Sequence, residues 1–235
     1  MFERLITLIN EESFNKIQTK NVLIVGVGGV GGYAFETLVR SGIINITIVD
    51  GDVVENSNLN RQIISNINVI GKLKVLVAKE RALSINPNAN IKVINEFITE
   101  NNFNILLEDK YDYVIDACDD LKLKMLLIKN ASNYKLISSM GTANKMDMTK
   151  FSITTIDKTS NDPIARIIRK KVKDEKIRTK FKVVSSTEPP IKNQTKLGTI
   201  AYMPAISGLL CASYILNDII KNIWYTEIIK GGIKW

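Results

Sequence analysis

Short apolar runs alternate with amphipathic stretches through the first two thirds of the chain. The runs are rich in Val and Ile, as in strands that are buried on both faces of a parallel sheet. The stretches between them repeat apolar residues at helical spacing. This order predicts an α/β fold with a Rossmann-like, doubly wound and mostly parallel sheet. The predicted strands span residues 21–26, 45–50, 91–97, 112–116 and 136–140, and the predicted helices span residues 30–40, 71–85, 101–107 and 121–133.

A second pattern begins near Thr149 and predicts a C-terminal α/β extension. Residues 151–157 are typical of one more strand, and a basic amphipathic helix begins around Pro163, where Asp162 is suited to cap it. Residues 185–198 are rich in proline and polar residues and predict a loop. The remaining elements are a strand at residues 182–184 and an apolar helix at 204–220, which we expect to pack against the sheet or a partner subunit.

Composition and length fit a globular protein without a membrane anchor. The 235 residues are 45% hydrophobic and 24% charged, which is ordinary for a soluble domain. The longest apolar run, 199–216, contains Pro, Gly and Ser and is shorter than the roughly 20 residues of a membrane-spanning helix. The N-terminal sequence MFERLITLINEESF carries acids and does not resemble a signal segment. We therefore expect a cytoplasmic protein.

Histidine is absent from the sequence. Its absence excludes Ser–His and Cys–His mechanisms and removes the usual general base. The two cysteines, Cys118 and Cys211, are far apart and offer neither a disulfide framework nor a paired zinc motif. Any catalysis must therefore use Lys, Arg, Asp and backbone amides.

The net charge of +8 is concentrated in one segment. Residues 163–182 contain nine Lys or Arg residues against two acids. Such a block is typical either of a solvated helix face or of a surface that binds phosphates. The candidates for phosphate contacts are Arg166, Arg169, Lys170, Lys171 and Lys173.

Glycines follow the first predicted strand in a pattern that indicates nucleotide binding. Gly26, Gly28 and Gly31 have the G-x-G-x-x-G spacing, in which the first glycine permits a tight turn and the last permits close packing of helix on strand. Gly28 or Gly29 leaves room for a phosphate at the helix N-terminus. Asp50 ends the second predicted strand, where its carboxylate can accept hydrogen bonds from ribose hydroxyls. These residues serve NAD and ATP equally well.

The segment 50–80 favours ATP. It contains a polar loop with the sequence NLNRQ, and two lysines, Lys72 and Lys74, open the next predicted helix. Attack of a carboxylate on the α-phosphorus of ATP brings two anions together, so fixed cations are needed to offset the repulsion. Arg61 and Lys74 are suitably placed to supply them. Lys72 competes with Lys74 for this role, and both lysines also fit a solvated helix face.

The fourth predicted strand ends in the acidic sequence DACDD, residues 116–120. The carboxyl ends of parallel strands are where ligands bind in such sheets. A carboxylate there can hold Mg²⁺ against a triphosphate, because this ion takes one or two carboxylates together with phosphate oxygens. Asp119 is the candidate for the metal, Asp116 for a structural strand end and Asp120 for a helix cap.

Together these motifs resemble the E1-like adenylating superfamily, which includes ubiquitin-activating enzymes and the bacterial ThiF and MoeB proteins. GVGGVGG, the D-x-D pair, NLNRQ, GKLK and DACDD occur in the family's order. The resemblance implies an E1-like fold, adenylation, and ATP and Mg²⁺ as cofactors; a requirement for Na⁺ or K⁺ stays open. It implies that Asp50 binds the ribose, that Arg61 and Lys74 contact phosphates, with Lys74 favoured over Lys72, and that Asp119 serves the metal. Its other ATP-site positions are Gly26, Gly28, Gly29, Gly31, Asp52, Asn58 and Gln62.

The rest of the chain resembles one branch, the tRNA threonylcarbamoyladenosine dehydratases. FERLITLINEESF, VVSSTEPP and LGTIAYMPAISGLL carry this likeness. Members of the branch use ATP to cyclise the threonylcarbamoyl group at adenosine 37 of tRNA, release AMP and pyrophosphate, and act as homodimers. The resemblance implies that Arg4 reaches the ATP of the neighbouring subunit and that the basic helix faces tRNA. Lys124 stands where the superfamily has an arginine, and we expect it to replace that cation.

Other functions are compatible with the same fold. An activator of a ubiquitin-like sulfur-carrier protein predicts two CxxC zinc pairs and often an acceptor cysteine, which this sequence lacks. A catalytically silent RNA-binding protein is disfavoured by the intact Arg61, Lys74 and Asp119, and a nicotinamide dehydrogenase ranks last. A sulfur-transfer protein partner stays unidentified. We divide the single E1-like domain into an N-terminal helical arm (1–20), a Rossmann-like ATP-binding region (21–148) and a C-terminal extension (149–235).

Overall fold

The computed structural model describes residues 1–192 and 196–229, with the backbone alone for residues 221–229. In this part of the chain seven strands form one sheet: β1 (Asn21–Val25), β2 (Asn45–Val49), β3 (Asn90–Ile94), β4 (Tyr113–Asp116), β5 (Lys135–Ser139), β6 (Phe151–Thr154) and β7 (Lys182–Ser186). Their order is β3-β2-β1-β4-β5-β7-β6, and all neighbours are parallel except β6 and β7. The helices are α1 (Glu3–Ile9), α2 (Glu11–Gln18), α3 (Gly31–Arg40), α4 (Lys74–Ile85), α5 (Leu121–Lys129), α6 (Pro163–Asp174) and α7 (Tyr202–Ile229).

Helices cover both faces of the sheet because the central strands are apolar on both sides. Side chains alternate between the faces of a strand. In β1, Val22 and Ile24 join a core cluster with α3, α4 and α7, whereas Leu23 and Val25 join a second cluster with α5 and α6. The predicted doubly wound, mostly parallel sheet is therefore confirmed.

The chain reverses its direction of travel across the sheet between β1 and β4. From β1 it adds β2 and β3 on one side, then returns to place β4 and β5 on the other. The helices that follow β1 and β4 therefore pack on opposite faces of the sheet, and the carboxyl ends of these two strands form the switch point at which ligands bind in open parallel sheets. The loops after β1 and β4 meet there. They are in close contact: a Cβ placed at Gly26 would lie 2.8 Å from the carbonyl oxygen of Ala117.

Helix α4 begins three residues later than predicted. Gly71 has a φ of 83°, a left-handed conformation that glycine adopts readily and that a right-handed helix cannot contain. The backbone amide of Lys74 donates to the carbonyl of Asp52 at 3.0 Å, so the turn is tied back to the end of β2. This start makes Lys74 the first residue of the helix.

The helix predicted at 101–107 is a shorter 3₁₀ helix, Phe103–Leu107, and not an α-helix. The side chain of Asn102 accepts a hydrogen bond from the amide of Thr99 at 2.7 Å, and such local bonds favour turns over helices. The other boundaries differ by a few residues: β3 ends at Ile94, α5 at Lys129 and β6 at Thr154, whereas β7 continues to Ser186; residues 193–195 of the predicted 185–198 loop lie outside the described residues.

The C-terminal extension completes the same sheet and core. Helix α7 packs so closely on α3 that a Cβ at Gly208 would lie 2.3 Å from the carbonyl oxygen of Val30. One stretch of α7, Tyr202–Ile220, is long and apolar enough to cross a membrane by length and composition alone. Its buried residues Met203, Cys211, Ala212, Ile215 and Ile219 belong to the core cluster that includes α3 and the sheet.

Candidate active site

The glycine turn after β1 leaves backbone donors free at the N-terminus of α3. Gly26 has a φ of 89°, and a Cβ at Gly31 would lie 1.8 Å from the carbonyl oxygen of Gly26, so both positions require glycine. In the described part of the chain, the amides of Gly28, Gly29 and Val30 have no hydrogen-bond acceptor. Free amides at the start of a ten-residue helix suit a phosphate.

Asp50, which follows β2, stabilises this turn through hydrogen bonds to backbone amides. Its Oδ2 accepts a hydrogen bond from the amide of Val27 at 2.8 Å, and its Oδ1 accepts one from the amide of Asp52 at 2.9 Å. A carboxylate oxygen can accept more than one hydrogen bond, so both oxygens retain capacity for ribose hydroxyls. The predicted ribose ligand therefore lies beside the glycine turn.

Lys72 and Lys74 are both candidates for the phosphate contact, and Lys74 is the buried one. Its Nζ lies 2.7 Å from Oδ2 of Asp52, and its side chain is only 7% exposed. Lys72 is exposed in the turn before the helix. The geometry therefore favours Lys74 as the fixed cation at this edge of the sheet.

The NLNRQ loop lies over the glycine turn. A Cβ at Gly29 would be 3.6 Å from Cγ of Arg61, and a Cβ at Gly28 would be 3.6 Å from Nε2 of Gln62. Arg61 Nη1 donates to the carbonyl of Ser57 at 2.6 Å, which leaves further guanidinium protons for a ligand. Gln62 is buried, and its Oε1 has no hydrogen-bond partner among the described residues. This loop thus places the Arg61 guanidinium and the unpaired amide oxygen of Gln62 next to the glycine turn.

Asn58 shapes the loop from within. Its side chain is buried and accepts a hydrogen bond from the amide of Glu55 at 3.0 Å, while the Glu55 side chain accepts from the backbone of Asn58. These reciprocal bonds form a capping box. A contact between Asn58 and ATP stays a prediction.

Asp119 is exposed at the carboxyl end of β4, and its carboxylate forms no hydrogen bond or ion pair with the described residues. Asp120 caps α5 by accepting from the amides of Lys122 and Leu123 at 2.6 and 2.9 Å, whereas Asp116 is fully buried. Within the described residues no three Cys, Asp or Glu side chains cluster around a common point. The donor set fits Mg²⁺ held by one carboxylate together with phosphate oxygens.

Lys124, which the resemblance sets in place of an arginine, is a buried cation that pairs with Asp116. Its Nζ lies 3.0 Å from Oδ2 of Asp116, and the two side chains are 1% and 0% exposed. Burial lowers the pKa of Lys124, but the charge and hydrogen bonds of Asp116 outweigh burial, and the net pKa is raised. This lysine is therefore charged and enclosed in the core.

Neither cysteine is suited to act as a nucleophile. Burial, followed by the negative charge of Asp116, raises the pKa of Cys118 well above its usual value. Burial likewise raises the pKa of Cys211, which lies inside α7. Both thiols therefore stay protonated at neutral pH.

The predicted residues outside this edge of the sheet are spread over two helices. Arg4 is exposed on α1, which packs on α2. On α6 the exposed cations are Arg166, Lys170 and Lys173, and Lys171 is partly exposed. Arg169 differs: its Nη1 donates to the carbonyl of Thr159 at 2.6 Å and to Oγ1 of Thr159 at 2.7 Å. Its Nη1 thus holds the segment before α6, while the other guanidinium protons remain available.

Pro204, near the start of α7, borders the site and was not singled out in the sequence. A Cβ at Gly29 would lie 3.1 Å from Cβ of Pro204, so α7 covers one side of the glycine turn. The sequence feature that indicates this position of α7 is Gly208. It is a small residue in an apolar helix, and it permits the close approach of α7 to α3.

Comparisons with known proteins agree over nearly the whole chain. The family model described as ThiF family matches residues 2–230. A tRNA threonylcarbamoyladenosine dehydratase of Bacillus subtilis strain 168 is 35% identical over 94% of this chain and 95% of its own length. The solved structure of the Escherichia coli tRNA N6-threonylcarbamoyladenosine dehydratase in complex with ATP has a TM-score of 0.89 at 30% identity and covers 95% of both chains. Escherichia coli MccB, solved with ATP, is 22% identical with a TM-score of 0.65 and shares the fold alone.

Fold and site geometry define an α/β nucleotide-binding protein of the E1-like type. The chain belongs to the ThiF family, in the branch of the tRNA threonylcarbamoyladenosine dehydratases.

Proposed function

We propose that this protein is an ATP-dependent tRNA threonylcarbamoyladenosine dehydratase. It adenylates the threonyl carboxylate of N6-threonylcarbamoyladenosine 37 in tRNA and then cyclises it, releasing pyrophosphate and AMP. The observation that carries the proposal is the position of the NLNRQ loop, which sets Arg61 beside Gly29 and the free amides of the glycine turn. The names of the relatives that match nearly the whole chain support the substrate.

The first step is attack of the carboxylate on the α-phosphorus. A bond forms between a carboxylate oxygen and phosphorus, the bond to the bridging oxygen breaks, and pyrophosphate leaves. The amides of the glycine turn, together with Arg61 and Lys74, offset the negative charge that accumulates. Asp119 would hold Mg²⁺, which supplies further positive charge to the phosphates when bound.

The second step is ring closure. The urea nitrogen of the modification attacks the activated acyl carbon, AMP leaves with the former carboxylate oxygen, and the nitrogen loses a proton. The net change in the nucleoside is the loss of one water. No enzyme thioester is required, in agreement with two cysteines whose thiols stay protonated. Positioning of the reacting groups supplies much of the acceleration.

The basic face of α6 is the proposed contact for tRNA. Arg166, Lys170 and Lys173 are exposed and separated by three or four positions, so they lie on one side of the helix. Each neutralised phosphate adds salt-dependent affinity. In the proposed assembly the protein is a cytoplasmic homodimer in which Arg4 of one subunit reaches the ATP of the other.

The rival function is activation of a ubiquitin-like sulfur carrier. A probable molybdopterin-synthase adenylyltransferase of Porphyra purpurea is 36% identical, but over 51% of this chain and 31% of that protein. Pyrophosphate exchange distinguishes the two functions. We expect ATP-dependent exchange with tRNA that bears the linear modification, and none with a carrier protein that ends in Gly-Gly. Exchange with the carrier alone would reverse the assignment.

A further inference from the structure

Lys124 and Asp116 form an ion pair enclosed beneath the candidate active site. Lys124 Nζ donates to both carboxylate oxygens of Asp116, each at 3.0 Å, and to the carbonyl of Ser139 at 2.9 Å. An ammonium group has three protons, so every donor of Lys124 has an acceptor. The lysine therefore has no donor left for a phosphate of ATP.

The carboxylate of Asp116 in turn holds the loop that follows β4. Its Oδ1 accepts hydrogen bonds from the amide of Cys118 at 3.3 Å and from the thiol of Cys118 at 3.0 Å. Its Oδ2 accepts from the hydroxyl of Ser138 on the neighbouring strand. The carbonyl oxygen of Ala117 lies close to Gly26 of the glycine turn, where an added Cβ would be only 2.8 Å away. One carboxylate thus fixes the backbone that leads to Asp119.

Asp119 lies between two anchored residues and is itself free. Cys118 is held by Asp116, and Asp120 is held by the first amides of α5. In contrast, the carboxylate of Asp119 is exposed and has no partner among the described residues. The neighbours of Asp119 therefore fix its backbone position, and its carboxylate remains available to a ligand.

We propose that Lys124 is a positioning residue that sets Asp119 through Asp116. This inference rests on the proposed function, because it takes Asp119 as the residue that holds Mg²⁺ against ATP. A buried carboxylate without a buried cation is strongly unfavourable, so loss of Lys124 forces the side chain of Asp116 to rearrange. That rearrangement breaks its hydrogen bonds to Cys118 and shifts the position of Asp119.

Calorimetric titration of ATP, with Mg²⁺ and with EDTA, tests the role of Lys124 without tRNA. We expect Lys124→Met to reduce the gain in ATP affinity that Mg²⁺ provides by about tenfold, as for residues that orient a metal ligand. Affinity in EDTA should be unchanged, and Asp119→Ala should remove the gain. Lys122→Met, an exposed lysine on the same helix, is the matched control and should behave as wild type.

Three results would overturn the inference. An equal loss of affinity in EDTA would make Lys124 a direct phosphate ligand, and a lowered melting temperature with an intact Mg²⁺ gain would make it a stabilising residue only. If Lys124→Met does not fold, Lys124→Met/Asp116→Asn removes both charges, and an intact Mg²⁺ gain in that variant would be the third. Failure to cyclise tRNA would contradict the proposed function. The ATP titration contains no tRNA, so it would still decide whether Lys124 positions Asp119.

Discussion

Lys74 carries a nearly buried charge whose described ion-pair partner is one half-exposed carboxylate. The side chain of Lys74 is 7% exposed and that of Asp52 is 51% exposed. Burial of an ammonium is costly unless negative charge lies nearby. A phosphate of ATP meets the same need, so we expect ATP to replace or join Asp52 at Lys74.

Substitution of Lys74 by alanine tests this role. Lys74→Ala should lower AMP release with modified tRNA by at least about a hundredfold, because a fixed cation no longer offsets the charge of the transition state. Binding of tRNA, measured by filter retention, should stay close to wild type. Lys72→Ala is the control and should retain activity. Loss of tRNA binding in Lys74→Ala would place this lysine in the RNA surface instead.

The role of a single residue could be predicted from the sequence where it depends only on neighbouring residues in the chain. The spacing of Gly26 and Gly31 follows from a turn and a helix contact that both require glycine. Lys124 could not be interpreted in this way, because its environment depends on Asp116 and Ser139, which come from two different strands. A charged residue in a helix gives no local sign that tertiary packing will bury it.

Helices α3 and α4 are joined by one acid. Glu36 of α3 accepts hydrogen bonds from Arg40 at 2.8 Å and from Arg81 of α4 at 2.5 Å. Burial raises the pKa of Glu36, but the bonds from Arg81 and Arg40 outweigh burial, and the net pKa is lowered. These two helices begin at the glycine turn and at Lys74, so Glu36 links both sides of the candidate site.

The lowered pKa predicts a loss of stability in acid. Because the folded pKa lies below the unfolded one, the contribution of Glu36 is present above pH 4.5 and disappears as the pH falls through the folded pKa. Glu36→Gln should cost about 1–2 kcal/mol of unfolding free energy at pH 7 and less at low pH. Urea unfolding at several pH values measures this. A cost that is independent of pH, or equal in the exposed control Glu100→Gln, would contradict the prediction.

Helix α6 should respond to charge reversal on its exposed face. Lys170→Glu/Lys173→Glu should weaken tRNA binding and reduce the slope of log affinity against log salt by about two, because each lost phosphate contact removes about one unit. Lys16→Glu/Lys110→Glu makes the same change in net charge at two lysines outside α6 and is the control. Equal effects of the two variants would show that the basic side of α6 is a solvated helix face and not a specific contact for tRNA.

At the scale of elements, strong periodicity was a better guide than composition. The basic helix begins at Pro163 with Asp162 as its cap, as predicted, because the cap bonds to the amide of Ala165 within the same segment. The helix predicted at 101–107 starts only at Phe103 and is a 3₁₀ helix, because the side chain of Asn102 closes a turn before it. Ends of elements moved wherever a backbone conformation such as that of Gly71 decided them.

For the whole molecule, the proposed homodimer makes a testable statement about Arg4. If Arg4 acts on the neighbouring subunit, Arg4→Ala and Lys74→Ala homodimers are both impaired. A mixed dimer would then contain one complete site, and random exchange should restore about a quarter of the wild-type sites. AMP release after subunit exchange measures this. No recovery, with exchange verified by differently tagged subunits, would place Arg4 in the site of its own subunit.

Mass spectrometry of nucleosides from tRNA incubated with the protein and ATP tests the proposed reaction most directly. We predict that N6-threonylcarbamoyladenosine decreases and that a product lighter by one water appears, together with an equal amount of AMP. The product should be absent without ATP and strongly reduced with Lys74→Ala. An unchanged nucleoside profile with active, ATP-binding protein would contradict the proposed reaction.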